Sequence, residues 1–218
     1  MTDEIRSLLE KTAANLEKNN MKCCIADTKE DILPIVRSLV KEGDTISSGG
    51  SMTLKETGVI DFLRNGSFNY LDRDGLSGAE LEKCFRDAFS ADVYFSSSNA
   101  ITENGELYNV DGTANRVAAI TFGPDSVVII AGFNKIVPDL NAAAIRVKTC
   151  AAPPNGVRLN LDTYCAKTGK CMNMTDCSGD FADGCHSSGR MCCSYVVTSY
   201  QRAKDRIKVI LVGEKLGY

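Results

Sequence analysis

Apolar residues recur at helical spacing over residues 3–19, with Ile5, Leu8, Leu9, Ala13 and Leu16 on one stripe and Thr12 among them. Acids come early and Lys18 late, so the pattern predicts an amphipathic helix packed against a larger domain. Lys22 to Ala26 is short and apolar and reads as a strand. From Asp27-Thr28 the spacing is helical again, through Ile32, Leu33, Ile35, Val36, Leu39 and Val40, and Gly43 ends it. Pro34 lies early enough in that helix to be tolerated. Thr45-Ile46 then opens a strand that breaks into Ser-Ser-Gly-Gly-Ser, and a helical pattern with Leu54 and Ile60 follows until Asn65-Gly66.

The second half continues the alternation. Phe68 to Leu71 and Asp92 to Phe95 read as strands, with a helix from Ser77 to Phe89 between them. Asn104-Gly105 is a hairpin signal, and Asp111 to Arg116 turns into a short helix. Ser126 to Ala131 (Ser-Val-Val-Ile-Ile-Ala) predicts a fully buried strand, and Pro138 to Thr149 a helix with Leu140, Ala144, Ile145 and Val147 inward. Pro153-Pro154 is read as a break that opens a cysteine-rich stretch, after which Tyr195 to Tyr200 and Ile207 to Val212 return to strand. Strands alternating with helices imply an α/β fold, a mostly parallel sheet covered on both faces. Ligands in such sheets sit beyond the carboxyl ends of the strands. Three polar turns occupy that kind of position: Ser48 to Ser51, Ser96 to Asn99, and Gly132 to Lys135. If strand order brings them together, one cleft holds backbone amides, Asn99, Asn134 and Lys135.

The segment around Gly49 and Gly50 organises this reading. Without Cβ atoms the backbone bends sharply and a ligand approaches its amides closely. Ser51 and Thr53 are N-cap candidates, Glu56 stands three residues after Thr53, and a first helical turn presents unpaired N–H groups to an anion. The same residues also describe a strand-to-helix turn with no ligand. The stretch is neither a Walker A loop nor a GxGxxG fingerprint.

Composition narrows the class. At 218 residues, 44% hydrophobic and 24% charged, the chain is an ordinary globular protein with one domain over 1–218 and an elaboration at 151–194. A net charge of −3 without a basic block argues against nucleic acid or an anionic membrane as partner. The charged opening and the absence of a long apolar run point to a cytoplasmic protein. Ten cysteines are unusual there, and six of them (Cys165, Cys171, Cys177, Cys185, Cys192 and Cys193) share one short stretch. In a reducing compartment that concentration points to metal or redox chemistry before disulfides.

Several stretches resemble the LUD-domain family of lactate utilization proteins. They are Gly49-Gly-Ser-Met-Thr-Leu-Lys-Glu-Thr-Gly58, Leu71-Asp-Arg-Asp74, Ser98 to Leu107, Asp111-Gly-Thr-Ala-Asn-Arg116, Gly132 to Asp139 and Ala151-Ala-Pro-Pro-Asn155. The resemblance implies a three-layer fold like that of NagB, ribose-5-phosphate isomerase and the CoA transferases. It also implies a role beside iron–sulfur proteins in lactate-linked redox metabolism. The positions it carries over are Gly49, Gly50, Ser51, Thr53, Glu56, Asn99, Glu103, Gly105, Asp111, Asn115, Arg116, Asn134 and Lys135. Of these, Gly49, Gly50, Ser51, Thr53, Asn99, Asp111, Asn115, Arg116, Asn134 and Lys135 are the candidate binding set for a small anionic molecule. Arg116 is suited to hold a carboxylate or phosphate, and Glu103 is the candidate acid/base group. Structural alternatives stand beside each: a surface ion pair for Arg116, a solvated hairpin charge for Glu103, a loop lysine for Lys135, and turn-satisfying roles for the asparagines.

Some members of the family carry a cysteine tail similar to the one here, although the spacing of Cys171-x5-Cys177 and an insertion with Cys185-His186 depart from it. Four thiolates converging from a loop need a reason to converge, and a [4Fe–4S] cluster or a zinc ion held by Cys165, Cys171, Cys177 and Cys192 supplies one. Arg190 and Lys170 would offset their charge. Disulfides and free redox-sensing thiols are the alternatives. His186, the only histidine, excludes a His-dependent triad in the main cleft unless its loop folds over it. The reading is therefore a protein that binds a small anion at the glycine turn, with a metal-bearing appendage. An enzyme of the CoA-transferase or isomerase sort, or a non-catalytic subunit of an iron–sulfur oxidoreductase, stands as the alternative, and a homo-oligomer stays open.

Overall fold

The apolar runs ending at Ala131 and Val212 lie side by side in the interior of a parallel sheet in the computed structural model, which describes residues 1–174 and 182–218. In chain order the elements begin α1 (Asp3–Lys18), β1 (Lys22–Ala26), α2 (Ile32–Arg37), β2 (Thr45–Ser48), α3 (Met52–Glu56), α4 (Val59–Asn65) and β3 (Asn69–Leu71). Next come α5 (Gly78–Asp87), β4 (Val93–Ser96), β5 (Ala100–Thr102), β6 (Leu107–Asp111), α6 (Asn115–Thr121), β7 (Ser126–Gly132) and β8 (Ile136–Val137). The chain continues through α7 (Leu140–Arg146), α8 (Ala152–Arg158), α9 (Tyr164–Thr168), β9 (Ser194–Thr198) and β10 (Ile207–Val212).

Six strands form the main sheet in the order β1-β10-β7-β4-β2-β3, every pair parallel. Alternation along the central strands builds the two faces. Val127, Ile129, Ala131, Ile207, Val209 and Leu211 join Leu9 and Leu16 of α1 and Ile120 of α6 in one core. Val128, Ile130, Ile210 and Val212 face the other way, onto Ile32 and Val36 of α2, Leu54 of α3 and Leu63 of α4. This is the three-layer, mostly parallel α/β arrangement expected. A second sheet, β8-β5-β6-β9, has a mixed pattern, and its Ala100, Tyr108 and Val110 pack on Ala143, Ala144 and Val147. The hairpin joining β5 to β6 turns at Asn104-Gly105, with Gly105 at φ +82 and its N–H on the Thr102 carbonyl.

Ile145, expected to face inward on α7, is 50% exposed, and three further expectations change. The helix read from Asp27-Thr28 to Gly43 is shorter, a 3-10 turn at Lys29–Asp31 followed by α2 (Ile32–Arg37), with Thr28 capped by the Asp31 carboxylate. Tyr195 to Tyr200 is displaced to β9, an antiparallel member of the second sheet. Pro153-Pro154 does not break the chain. A π-helical turn at Val147–Ala151 carries α7 into α8, and the prolines fall in the first turn of α8, where a missing N–H costs little. Among the described residues no helix is long and apolar enough to cross a membrane.

Candidate ligand-binding cleft

Strands β7, β4 and β2 are neighbours and parallel, so their carboxyl ends open onto one place. There lies a cleft of about 590 Å³ whose walls include Gly50, Ser51, Ser97, Asn99, Asp111 and Lys135. The three polar turns are thus brought together, as strand order required.

Lys135 sits at the end of the turn after β7 and is 4% exposed. Its Nζ donates to Thr53 Oγ1 at 2.9 Å and to Ser97 Oγ at 3.0 Å. Both partners are neutral. Burial, with Arg146 and Arg116 adding like charge and Glu56 opposing, pushes the amine down to about 7. Thr53 is held in turn by the chain terminus, its Oγ1 donating to the Leu216 carbonyl.

Arg116 occupies a different role from the expected anion clamp. Its Nε donates to Asp111 Oδ1, Nη1 to the Ser97 carbonyl and Asn109 Oδ1, and Nη2 to Asn99 Oδ1 and the Val110 carbonyl. Asp111 also accepts the Val117 N–H at the start of α6. With its donors engaged by the protein, Arg116 is the strut that sets the loop 97–99 against the end of β6. Ala114, just before α6 and between the cleft residues Thr113 and Asn115, holds φ +64 and so carries backbone strain of about 1 kcal/mol.

Gly49 belongs to the same strut. Its N–H is taken by the Phe95 carbonyl, and a Cβ there would lie 2.9 Å from Arg116 Cδ and 3.0 Å from Tyr94 Oη. Gly50 and Ser51 differ: no acceptor among the described residues takes either amide, and Ser51 Oγ accepts the Leu54 N–H. Beside Gly50 lies Arg73, whose guanidinium rests over the Phe85 ring at 5.0 Å and has no carboxylate partner among the described residues. Sequence reasoning placed Arg73 only within an Asp-Arg-Asp motif. Its neighbours Asp72 and Asp74 bond Arg64 instead, which leaves Arg73 to the cleft. Arg158 was also missed. It reaches the cleft with Asn155 and Tyr218, the last residue, and long-range closure of that kind leaves no local signal.

The other expected residues divide. Asn115 lines the cleft, and Asn99 both lines it and accepts the Val110 N–H. Asn134 points away, bonding the Leu216 N–H and the Gly217 carbonyl and so strapping the terminus down. Arg146 ties the two turns together by donating to the Asn134 and Asn99 carbonyls. Glu103 is not among the cleft residues. It sits in the β5–β6 hairpin, ion-paired to Lys11 at 2.5 Å.

The chain's match to the LUD domain family model runs over residues 9–212. It belongs to that family. A DUF162 family protein from Deinococcus radiodurans shares the fold at a TM-score of 0.51 and 13% identity, over 96% of this chain and 98% of that one. Weaker likenesses are eIF2B delta from Chaetomium thermophilum (TM-score 0.35, 24% identity, 52% of this chain and 50% of that) and ribose 5 phosphate isomerase A from Neisseria gonorrhoeae (0.32, 14%, 61% and 54%). No curated protein matches in sequence.

The cysteine-rich segment of this LUD domain forms one wall of the cleft. Cys193 N–H bonds the Asp111 carbonyl, and Met191, Cys192 and Cys193 line the cleft. Behind them is a small second cavity of about 20 Å³, walled by Cys165, Cys171, Cys185 and Cys192 together with Lys148 and Arg190. Cys177 of the expected metal set lies outside the described residues. As placed, no three described His, Cys, Asp or Glu side chains stand close enough to share a metal ion. Burial, with the Cys165 and Cys171 charges adding, pushes the Cys192 thiol up to about 11.

Proposed function

We propose that this LUD-domain protein binds a small organic anion, a carboxylate or phosphate, in the cleft at the ends of β2, β4 and β7, and works in lactate-linked or related redox metabolism. The observation that carries the reading is Lys135, a buried amine facing the cleft whose partners among the described residues are hydroxyls. A buried charge without a counter-ion is costly, and an anionic ligand supplies the counter-ion. Arg73 and the Gly50 and Ser51 amides complete a receptor for the ligand's negative end. The cleft is far larger than lactate needs and falls in the range of pockets for sugar phosphates or nucleotide-sized ligands.

An enzymatic reading shares the site. An amine near 7 exchanges protons readily at neutral pH. The acid/base role considered for Glu103 therefore passes to Lys135, with Ser97 and Thr53 relaying the proton. Thermal-shift screening of CoA esters, sugar phosphates, folates, nucleotides and 2-hydroxy acids tests the binding reading. One anionic class should raise the melting temperature of the parent protein, and raise it less for Arg73→Met at the same ligand concentration. A flat response across the panel overturns it.

A further inference from the structure

We infer that Cys165, Cys171, Cys185 and Cys192 form a tetrathiolate site for a single soft divalent cation, zinc being the type, in the wall that backs the cleft. The ligand set differs from the one read in sequence, where Cys177 stood in place of Cys185.

The placement of each cysteine is specified separately. Cys165 lies in the first turn of α9, where Thr163 caps the helix and its Oγ1 lies 3.4 Å from the Cys165 Sγ. Cys171 is pinned by its N–H on the Lys148 carbonyl of the π-helical turn. Arg190 draws the remaining two together. Its guanidinium donates to the Cys192, Cys185 and Ala182 carbonyls, folding the segment 182–185 back onto 190–192. Three stretches of chain thus deliver four thiols to one cavity. Of the other nearby groups, Asp183 is in the cavity wall, His186 is exposed and does not line the cavity, and Cys193 is exposed with its Sγ on the Arg190 carbonyl.

Size and charge choose the occupant. A cavity of about 20 Å³ matches one small ion more closely than a four-iron cluster. Four thiolates around one divalent cation leave two excess negative charges. Lys148, 5% exposed, and Arg190 line the cavity and oppose that charge, while Asp183 stands in the same wall. Lys170, the offsetting charge expected from sequence, is not in its wall. A further observation points the same way. The Tyr108 hydroxyl is buried and has no hydrogen-bond partner among the described residues, yet it lies within electrostatic reach of Cys192. Metal-bound thiolates accept such second-shell hydrogen bonds.

The four sulfurs are not within the reach of one ion as placed, so binding requires the site to close around it. The segment that must move is lightly held, since α9 buries no residue. Metal binding and local ordering are coupled in such segments. Each thiol that ligates loses its proton to solvent as the metal–sulfur bond forms, and no oxidant or reductant is involved.

Titrating the reduced, chelator-stripped full-length protein with Co2+ under anaerobic conditions tests the site without any cleft ligand, so its failure leaves the anion reading untouched. The expected result is saturation at about one Co2+ per chain, with the intense sulfur-to-cobalt absorption of tetrahedral thiolate ligation. Zn2+ should displace it. Cys185→Ser should weaken Co2+ binding by about 100-fold, while Cys177→Ser keeps the parent spectrum, with circular dichroism confirming that both variants are folded. Absence of the thiolate absorption at stoichiometric Co2+ overturns the proposal. So does a spectrum that survives Cys185→Ser and disappears in Cys177→Ser, or reconstitution with iron and sulfide that yields a cluster.

Discussion

Lys135 Nζ lies 3.0 Å from Ser97 Oγ across the junction of two strand ends, and the partners of this buried ammonium among the described residues are hydroxyls rather than carboxylates. The amine is held where its charge is poorly compensated, at the floor of a cleft wide enough for an organic anion. From that relationship come consequences for pH, for individual side chains and for binding.

Stability should depend on pH through Lys135. Its folded value near 7 is below the unfolded value of 10.5, so between them the unfolded chain binds the extra proton and stability rises with pH. The burial penalty is fully present below about pH 7 and relieved on going upward. Urea unfolding at pH 7 and 9 should show the parent protein gaining about 2 kcal/mol relative to Lys135→Met. An equal response in both proteins would remove the claim that this amine is depressed.

Adjacent glycines should behave differently. Gly49→Ala drives a Cβ into the Arg116 stem and the Tyr94 hydroxyl, and should cost about 1–3 kcal/mol. At Gly50 the nearest atom is the movable end of Arg73 at 3.5 Å, so Gly50→Ala should fold like the parent. Thermal melts of the two variants check the contrast.

The arginines should also separate. Arg116→Met strips donors from Asn99, Asn109 and the partly buried Asp111, and should destabilise by about 3 kcal/mol. Arg73→Met gives up only the contact with Phe85 and should change stability by about 0.5 kcal/mol or less, while weakening anion binding about tenfold. Chemical denaturation alongside ligand titration distinguishes a strut from a receptor.

Glu103→Gln should leave binding at the cleft unchanged. It removes an exposed pair with Lys11 on the hairpin, worth about 1 kcal/mol at most. Loss of binding or turnover in this variant, with its fold intact, would return the acid/base role to Glu103.

Much of the fold is legible in sequence because it is periodic. The runs 126–131 and 207–212 and the alternation around them announce buried parallel strands, and Lys22–Ala26 is observed with the same ends. The π-helical turn ahead of Pro153 is not legible, since it depends on how α7 packs against the second sheet. Polar turns at strand ends locate the cleft, but not which side chains face it. Arg116 and Asn134 carry the same motif signal as Lys135, yet the first is consumed by the side chains of Asp111, Asn109 and Asn99 and two backbone carbonyls, and the second by residues 216 and 217. Only the three-dimensional hydrogen-bond inventory tells a strut from a receptor. Likewise Cys185 looks like an insertion in the linear pattern, and its place beside Cys192 is set by Arg190.

The most direct measurement is the affinity for sulfate, an anion of constant charge, followed by calorimetry from pH 6 to 9 at fixed ionic strength. An anion that shares the cleft with Lys135 binds the ammonium form, so affinity should fall as pH rises through about 7, approaching tenfold per unit. The fall should be absent in Lys135→Met. Sulfate binding that is flat with pH, or unchanged by that substitution, contradicts the account.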